Sequence, residues 1–489
     1  MDQSIKKVGK RKINFSAFAN VAVFFTFEVL AFIAFSLGTS YILYSVLSLV
    51  LLIVLLLVTI RQLNKDGLAT YAFFLFPIFV YGLLNALSIF SQDSLFVLNG
   101  LAFLIPIGMT CFAACGYLVS AIKSFNIGKA LFVIYSALAI LTLINLFATM
   151  IEFAPFYTLL YRDKYIYYNG AISEVPISQM AFALLGFSVS EVSVEYFSLF
   201  PSLLLSAVIP LFFLKFKENK TIFLLYTGYV FLGFISLLMT VSKITLISDF
   251  LVFIVVVLVL LFAKFNWKGK ILKIILIIFG CFFILGFIVM FLNAQEDAAG
   301  LFASVQNVIS NNAILDRLFN GNGLVIRYNA ILNWLMKTNS DGQFVCLFGF
   351  VHTSDVYPSN SWFFDNLMTS GIFGSIFFLF FVIVGIRRLI IYFRQSQDLL
   401  PYRAMLVAFV LSFFAFSLIN YDATPYIFSK TLSPIYLSGP FLVVLFLMSY
   451  AIYQTVNNKK NMELDLSHSQ VVKTPISEEG DNQNETISL

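Results

Sequence analysis

Charge is scarce in this chain. Only 11% of its 489 residues are Asp, Glu, Lys or Arg, against about 25% in ordinary soluble domains, which excludes a soluble globular protein. Cysteine is scarce too, with four in all. Cys111 and Cys115 stand one helical turn apart in an apolar run, Cys281 lies in another and Cys346 is isolated, a distribution that supports neither a disulfide framework nor a metal site. No cleavable signal peptide is apparent, because the first apolar run is about 20 residues long, too long for a signal h-region. No internal repeat is visible, which disfavours the inverted-repeat transporter designs.

What the chain has is apolar length. Hydrophobic residues make up 60% of it, 59 residues are Phe, and the mean hydropathy is +0.93, the signature of an all-α polytopic membrane protein. Twelve spans can be read at the length of about 20 residues that a bilayer core requires. The first six are Asn14 to Ser36, Thr39 to Ile60, Leu68 to Phe90, Leu95 to Ser120, Lys129 to Ile151 and Glu195 to Leu214. The next six are Thr221 to Val241, Ile244 to Ala263, Ile271 to Asn293, Trp362 to Ile386, Arg403 to Asn420 and Leu432 to Tyr453. Pro106 in the fourth span and Pro201 and Pro210 in the sixth predict kinks there.

Cations set the orientation. All but seven of the 30 Lys and Arg fall on the same side of this alternation, and the seven exceptions are Arg162, Lys164, Lys243, Arg317, Arg327, Lys337 and Lys430. The richer side is then cytoplasmic, with both termini inside a multi-pass protein of the cytoplasmic membrane. A net charge of +5 gives no reason to expect nucleic acid, since in a membrane protein the location of each charge matters more than the sum. Residues 1–456 form an integral membrane domain with outer loops at about 152–194 and 294–361, and the polar segment 457–489 reads as a disordered cytoplasmic tail.

The two outer segments carry the candidate chemistry. In the first, Tyr157, Tyr161, Tyr165, Tyr167 and Tyr168 admit two readings, sugar stacking or an aromatic belt at headgroup level, and the belt is the commoner use. The second is a loop of roughly 65 residues among otherwise minimal connections, a length that points to function. Within it Leu324, Tyr328, Ile331, Leu332 and Leu335 recur at helical spacing after Gly321-Asn322-Gly323, predicting a short amphipathic helix on the membrane. Cations outside work against orientation, so each calls for a local task. Lys243 sits in an outer hairpin after Ser242, either snorkelling to lipid phosphates or holding an anion as a point charge, with Arg327 as a bidentate donor.

Ser242-Lys243 is followed by Arg327 and Trp334, by Leu347-Phe348-Gly349, by Pro358-Ser359-Asn360-Ser361-Trp362-Phe363 and by Gly371-Ile372-Phe373-Gly374. In this order and at an outer location, the set resembles the O-antigen polymerase and ligase superfamily over about 140 residues. The resemblance implies a membrane-embedded C-type fold and a metal-independent, cofactor-free, inverting glycosyltransferase. The implied donor is an undecaprenyl-diphosphate-linked oligosaccharide at the outer face, polymerised into capsular, exopolysaccharide or O-antigen chains. It implies further that Lys243, in place of the family's usual Arg, and Arg327 bind the diphosphate beside Ser242, with Trp334 and Asn360 as further loop contacts; Lys337, one of the seven outer cations, is a candidate loop contact by its location. Many members have His immediately before the Asn; here that position is Ser359, which leaves the base open among His352, Asp355 and Asp365.

The chemistry suits these residue types. A diphosphate gains negative charge as its bond to the sugar breaks, so fixed cations stabilise the transition state more than the ground state, while a base takes the proton of the acceptor hydroxyl. His352 also reads as an incidental loop histidine, and Asp365 as a helix-start charge favoured by the dipole. Two acids inside spans, Glu28 and Asp249, the latter sharing a helix face with Ser242, suggest a different class if they form a proton path. That class is a flippase or exporter of lipid-linked oligosaccharide. A ligase of the same superfamily differs from a polymerase only in its acceptor. Expected partners are the lipid-linked oligosaccharide, membrane lipid and other polysaccharide assembly proteins.

Overall fold

The computed structural model describes residues 41–59, 65–90, 104–122, 125–152, 167–168, 171–172, 194–214, 220–239, 243–265, 347, 362–419 and 441–456. They are almost entirely helical. In chain order the helices are α1 (Tyr41–Thr59), α2 (Lys65–Phe90), α3 (Leu104–Ser120), α4 (Ile127–Glu152), α5 (Val194–Leu205), α6 (Val208–Phe213), α7 (Lys220–Met239) and α8 (Lys243–Phe265). They continue as α9 (Trp362–Gln395), α10 (Leu400–Ile419) and α11 (Phe441–Val456). Helices stand at every expected span except the first and the ninth, which lie outside the described residues. Within α7, α9 and α10 the stretches Lys220–Leu237, Ser370–Gln395 and Leu400–Leu418 are long and apolar enough to cross a bilayer. The chain is a membrane protein.

Lipid explains why these segments are helices. An apolar solvent offers the backbone no partners, so its N–H and C=O groups must bond within the segment. The same demand falls on hydroxyls in the apolar runs. Thr59, Thr110, Thr227, Ser375 and Ser417 each donate to the carbonyl four residues back, at 2.6 to 2.9 Å, so their polar atoms are satisfied inside their own helix. The outer surface is apolar as well. Phe73 and Phe76 of α2, Leu224, Phe231 and Phe234 of α7, Phe250 and Phe253 of α8, and Ile376, Phe380 and Ile383 of α9 are exposed, an arrangement that water would penalise and acyl chains match.

Helices α10 and α11 form the buried centre. Every described side chain of α11 from Phe441 to Tyr453 is buried, and an 18-residue stretch of α10 has 78% of its residues inside the bundle. Aromatic edges fill the layer between α9, α10 and α11: Phe378 meets Phe381 edge-on with centroids 5.1 Å apart, and Phe413 stacks on Phe441 at 6.2 Å. At Gly116 α3 comes so close to α11 that a Cβ there would lie 2.1 Å from the Phe446 carbonyl oxygen.

Two helices are interrupted, each for an identifiable reason. The expected kink of the sixth span is a full break: a turn at Ser206 and Ala207 separates α5 from α6, held by i to i−3 bonds onto Leu203 and Leu204 at 3.0 and 3.2 Å. Pro210 lies four residues beyond Ser206, so it supplies no N–H to the Ser206 carbonyl and its ring crowds that carbonyl. Pro201 is accommodated inside α5. Pro106 is the third residue described in α3, so the kink expected there falls at the edge of the described residues. The second interruption was not expected. Gly371, inside α9, has φ 68° and ψ −179°, a conformation essentially reserved for glycine. It divides α9 into a short arm, 362–370, and a long one. The Gly371-Ile372-Phe373-Gly374 sequence therefore opens on a helix break.

The all-α reading has one local exception among the described residues. Tyr167–Tyr168 pairs antiparallel with Ala171–Ile172, Tyr167 opposite Ile172 and Tyr168 opposite Ala171. The dipeptide between them is Asn169-Gly170, the strongest short hairpin signal in a sequence.

Candidate functional site

Packing fixes which helix ends lie together. A four-residue turn, Ser396 to Leu399, reverses the chain between α9 and α10. Helix α4 runs parallel to α10, since a Cβ on Gly128 would strike the Tyr402 ring and Tyr135 meets Phe409 seven residues further along each helix. Helix α7 runs parallel to α4, with Phe132 against Tyr226 and Ser136 hydrogen-bonded to Tyr229 at 3.0 Å. Helix α8 returns three residues after α7 ends. Hence Lys243, the first residue of α8, stands at the end of the bundle away from Ser396. So does Trp362, the first residue of α9, with Asp365 in the turn that follows.

Of the residues expected to carry function, Lys243 and Asp365 are thus brought to one end by their backbone. Ser242, Arg327, Trp334, Lys337, His352, Asp355 and Asn360 lie outside the described residues, as do Glu28, the amphipathic segment from Leu324 to Leu335 and the tail 457–489. From the long outer loop only Leu347 is described, in a single 3₁₀ position with an exposed side chain.

Below that end lies a polar seam inside the helices. Asp249 is six residues into α8 from Lys243, about 9 Å along the axis at 1.5 Å per residue. Its carboxylate accepts a hydrogen bond from Ser202 of α5, a buried side chain next to Pro201. One turn on, Ser206 shares a 2.5 Å hydrogen bond with Tyr135 of α4 and donates to the Leu203 carbonyl at 2.6 Å. The sequence places Asp249 on the same helix face as Ser242, which lies outside the described residues. The described partner of the carboxylate is Ser202 of α5, across a helix interface. No group of three potential metal ligands exists among the described residues.

A second polar cluster, at the opposite end, was not expected at all. It centres on Asp398 and gathers Tyr392, Ser396, Tyr450, Gln454 and Ser120. No model of a known protein family and no protein of curated function matches the chain.

Proposed function

We propose that this chain polymerises lipid-linked oligosaccharide repeat units at the outer face of the cytoplasmic membrane, as an inverting glycosyltransferase similar to the O-antigen polymerases. The observation that carries the reading is the common end of α8 and α9. Lys243 opens one helix there, and the other opens directly after the polar segment Tyr357 to Ser361 of the loop that bears Arg327.

In this reading Lys243 and Arg327 grip the diphosphate of a polyprenyl carrier. The bond between the anomeric carbon and the diphosphate oxygen breaks, and its electron pair leaves with the diphosphate. The acceptor hydroxyl oxygen attacks the opposite face of that carbon, inverting it, and its proton passes to a base among His352, Asp355 and Asp365. Two or three negative charges on the leaving group call for more than one cation, and a planar guanidinium adds a bidentate contact that an ammonium lacks. An apolar surround strengthens both interactions relative to water.

The exporter reading draws on the seam at Asp249, since acids inside spans often mark transport paths. Against it stand the outer cations and the long outer loop, because a transporter concentrates its polar groups near the midplane. Reconstitution separates the two. Purified protein in lipid vesicles, given a synthetic diphosphate-linked oligosaccharide donor, is expected to release carrier diphosphate and build chains longer than one unit. Movement of the intact donor across the vesicle membrane without chain growth would replace the polymerase with the exporter.

A further inference from the structure

At the end of the bundle remote from Lys243, one carboxylate gathers hydroxyls of α9, α11 and the turn between α9 and α10. Asp398, in the turn between α9 and α10, accepts hydrogen bonds from the Tyr392 hydroxyl at 2.7 Å, the Ser396 hydroxyl at 3.1 Å and the Tyr450 hydroxyl at 3.2 Å. Its own backbone N–H donates to the Ser396 oxygen at 3.1 Å, which fixes the turn. Tyr392 and Tyr450 belong to α9 and α11, both are fully buried, and their rings meet edge-on with centroids 6.2 Å apart.

Tyr450 carries the connection into α3. Its backbone carbonyl accepts from the Ser120 hydroxyl at 3.4 Å, and Gln454, one turn later, donates to the Ser120 oxygen at 3.0 Å. Its ring also rests on Phe125, between α3 and α4. Arg403 of α10 reaches back to the Phe393 carbonyl of α9 at 2.8 Å. Two contacts without slack lie at or behind these bonds. Gly128 of α4 leaves no room for a Cβ against the Tyr402 ring of α10, and Gly116 of α3 leaves none against the backbone of α11.

Together these contacts join α3, α4, α9, α10 and α11 at one end. Parting α9 from α11 there would strip a carboxylate of its buried tyrosine donors, and a charged group left without partners is the costlier side of each broken bond. Alternating access requires each end of a transporter to open in turn. We infer that the Asp398 end is a permanently closed floor, so that substrate enters and product leaves only from the Lys243 end. The closure stands on the contacts alone; the identity of the substrate rests on the polymerase reading.

Lys129 of α4 and Arg394 of α9 are both exposed and lie outside the cluster. Spin labels at these positions, introduced as cysteines in protein whose four native cysteines are replaced by alanine, report the separation of the two helices. In lipid nanodiscs the expected result is one narrow distance population, unchanged when lipid-linked oligosaccharide is added. Asp398→Ala should broaden it or add a second population, and Tyr392→Phe, which removes one donor only, should do so to a smaller degree if the first variant does not fold. Two populations in protein with Asp398 intact, a shift on adding substrate, or a distribution untouched by either variant that folds would overturn the proposal. Chain growth measured on the same samples separates the claims: a fixed distance without polymerisation leaves the floor standing and removes the polymerase, while a moving distance with polymerisation does the reverse.

Discussion

Arg327→Ala protein, verified as folded, is expected to polymerise a lipid-linked donor at least about 100-fold more slowly than wild type, the loss typical of removing one preorganised donor to developing negative charge. Arg327→Lys should recover little of this. Lysine keeps the charge but not the rigid fork that meets two diphosphate oxygens at once. Lys243→Arg should be tolerated far better, since the resembling family usually places Arg there and a guanidinium can still act as a charge. The loss should appear as a fall in turnover at saturating donor, because charge that develops on the leaving group is stabilised mainly in the transition state. Wild-type turnover in Arg327→Ala would remove the clamp from the mechanism.

Gly116→Ala is expected to give the largest stability loss of any single methyl group added within the described helices. The added carbon would sit 2.1 Å from the Phe446 carbonyl oxygen and 2.8 Å from its carbonyl carbon, so the obstacle is backbone. At Gly385 a new Cβ would meet the methyl group of Met448, the far end of a flexible side chain that can turn away. Overpacking a core costs about 1 to 3 kcal/mol when side chains can adjust, and a helix that has to translate should exceed that range. Thermal unfolding in detergent, followed by loss of monodisperse protein, should therefore show a much lower midpoint for Gly116→Ala than for Gly385→Ala. Equal midpoints would mean that α3 and α11 are not in this contact.

Much of the helical layout could be read from the chain because its cause is local. A run of about 20 apolar residues has to be helical in lipid wherever it packs, and the expected start of the tenth span at Trp362 coincides with that of α9. The cation count was equally local. It assigned to the same side the start of α2, the end of α3, the starts of α4 and α10 and the ends of α9 and α11. These ends lie together around Tyr71, Tyr117, Tyr402, Asp398 and Tyr450. Proline was legible as a disturbance but not as a location: Pro210 displaces the break to Ser206, four residues upstream, the carbonyl to which it can donate no N–H.

What escaped the sequence depends on distant partners. Nothing local in the sequence marks Asp398. Its role requires Tyr450 and, through that residue, Ser120, and no spacing rule links positions so far apart in the chain. Ser202 escaped for the same reason, as one of several serines in an apolar helix until α8 brings Asp249 against it. Gly371 is legible in the sequence only as part of a pattern, because a helix break at glycine depends on φ and not on composition; Gly374 and Gly385, in the same helix, do not interrupt it. The hairpin at Tyr167 was the one omission with a local signal, the Asn169-Gly170 dipeptide.

Flipping of a lipid-linked unit precedes its polymerisation, so cells lacking this protein should reveal which step it performs. Radiolabelled lipid extracts from such cells, probed on intact spheroplasts with a membrane-impermeant glycosidase or lectin, locate the accumulated intermediate. The polymerase reading predicts single repeat units still attached to the carrier and accessible on the outer face. The same units confined to the inner face would contradict it and assign the protein to export.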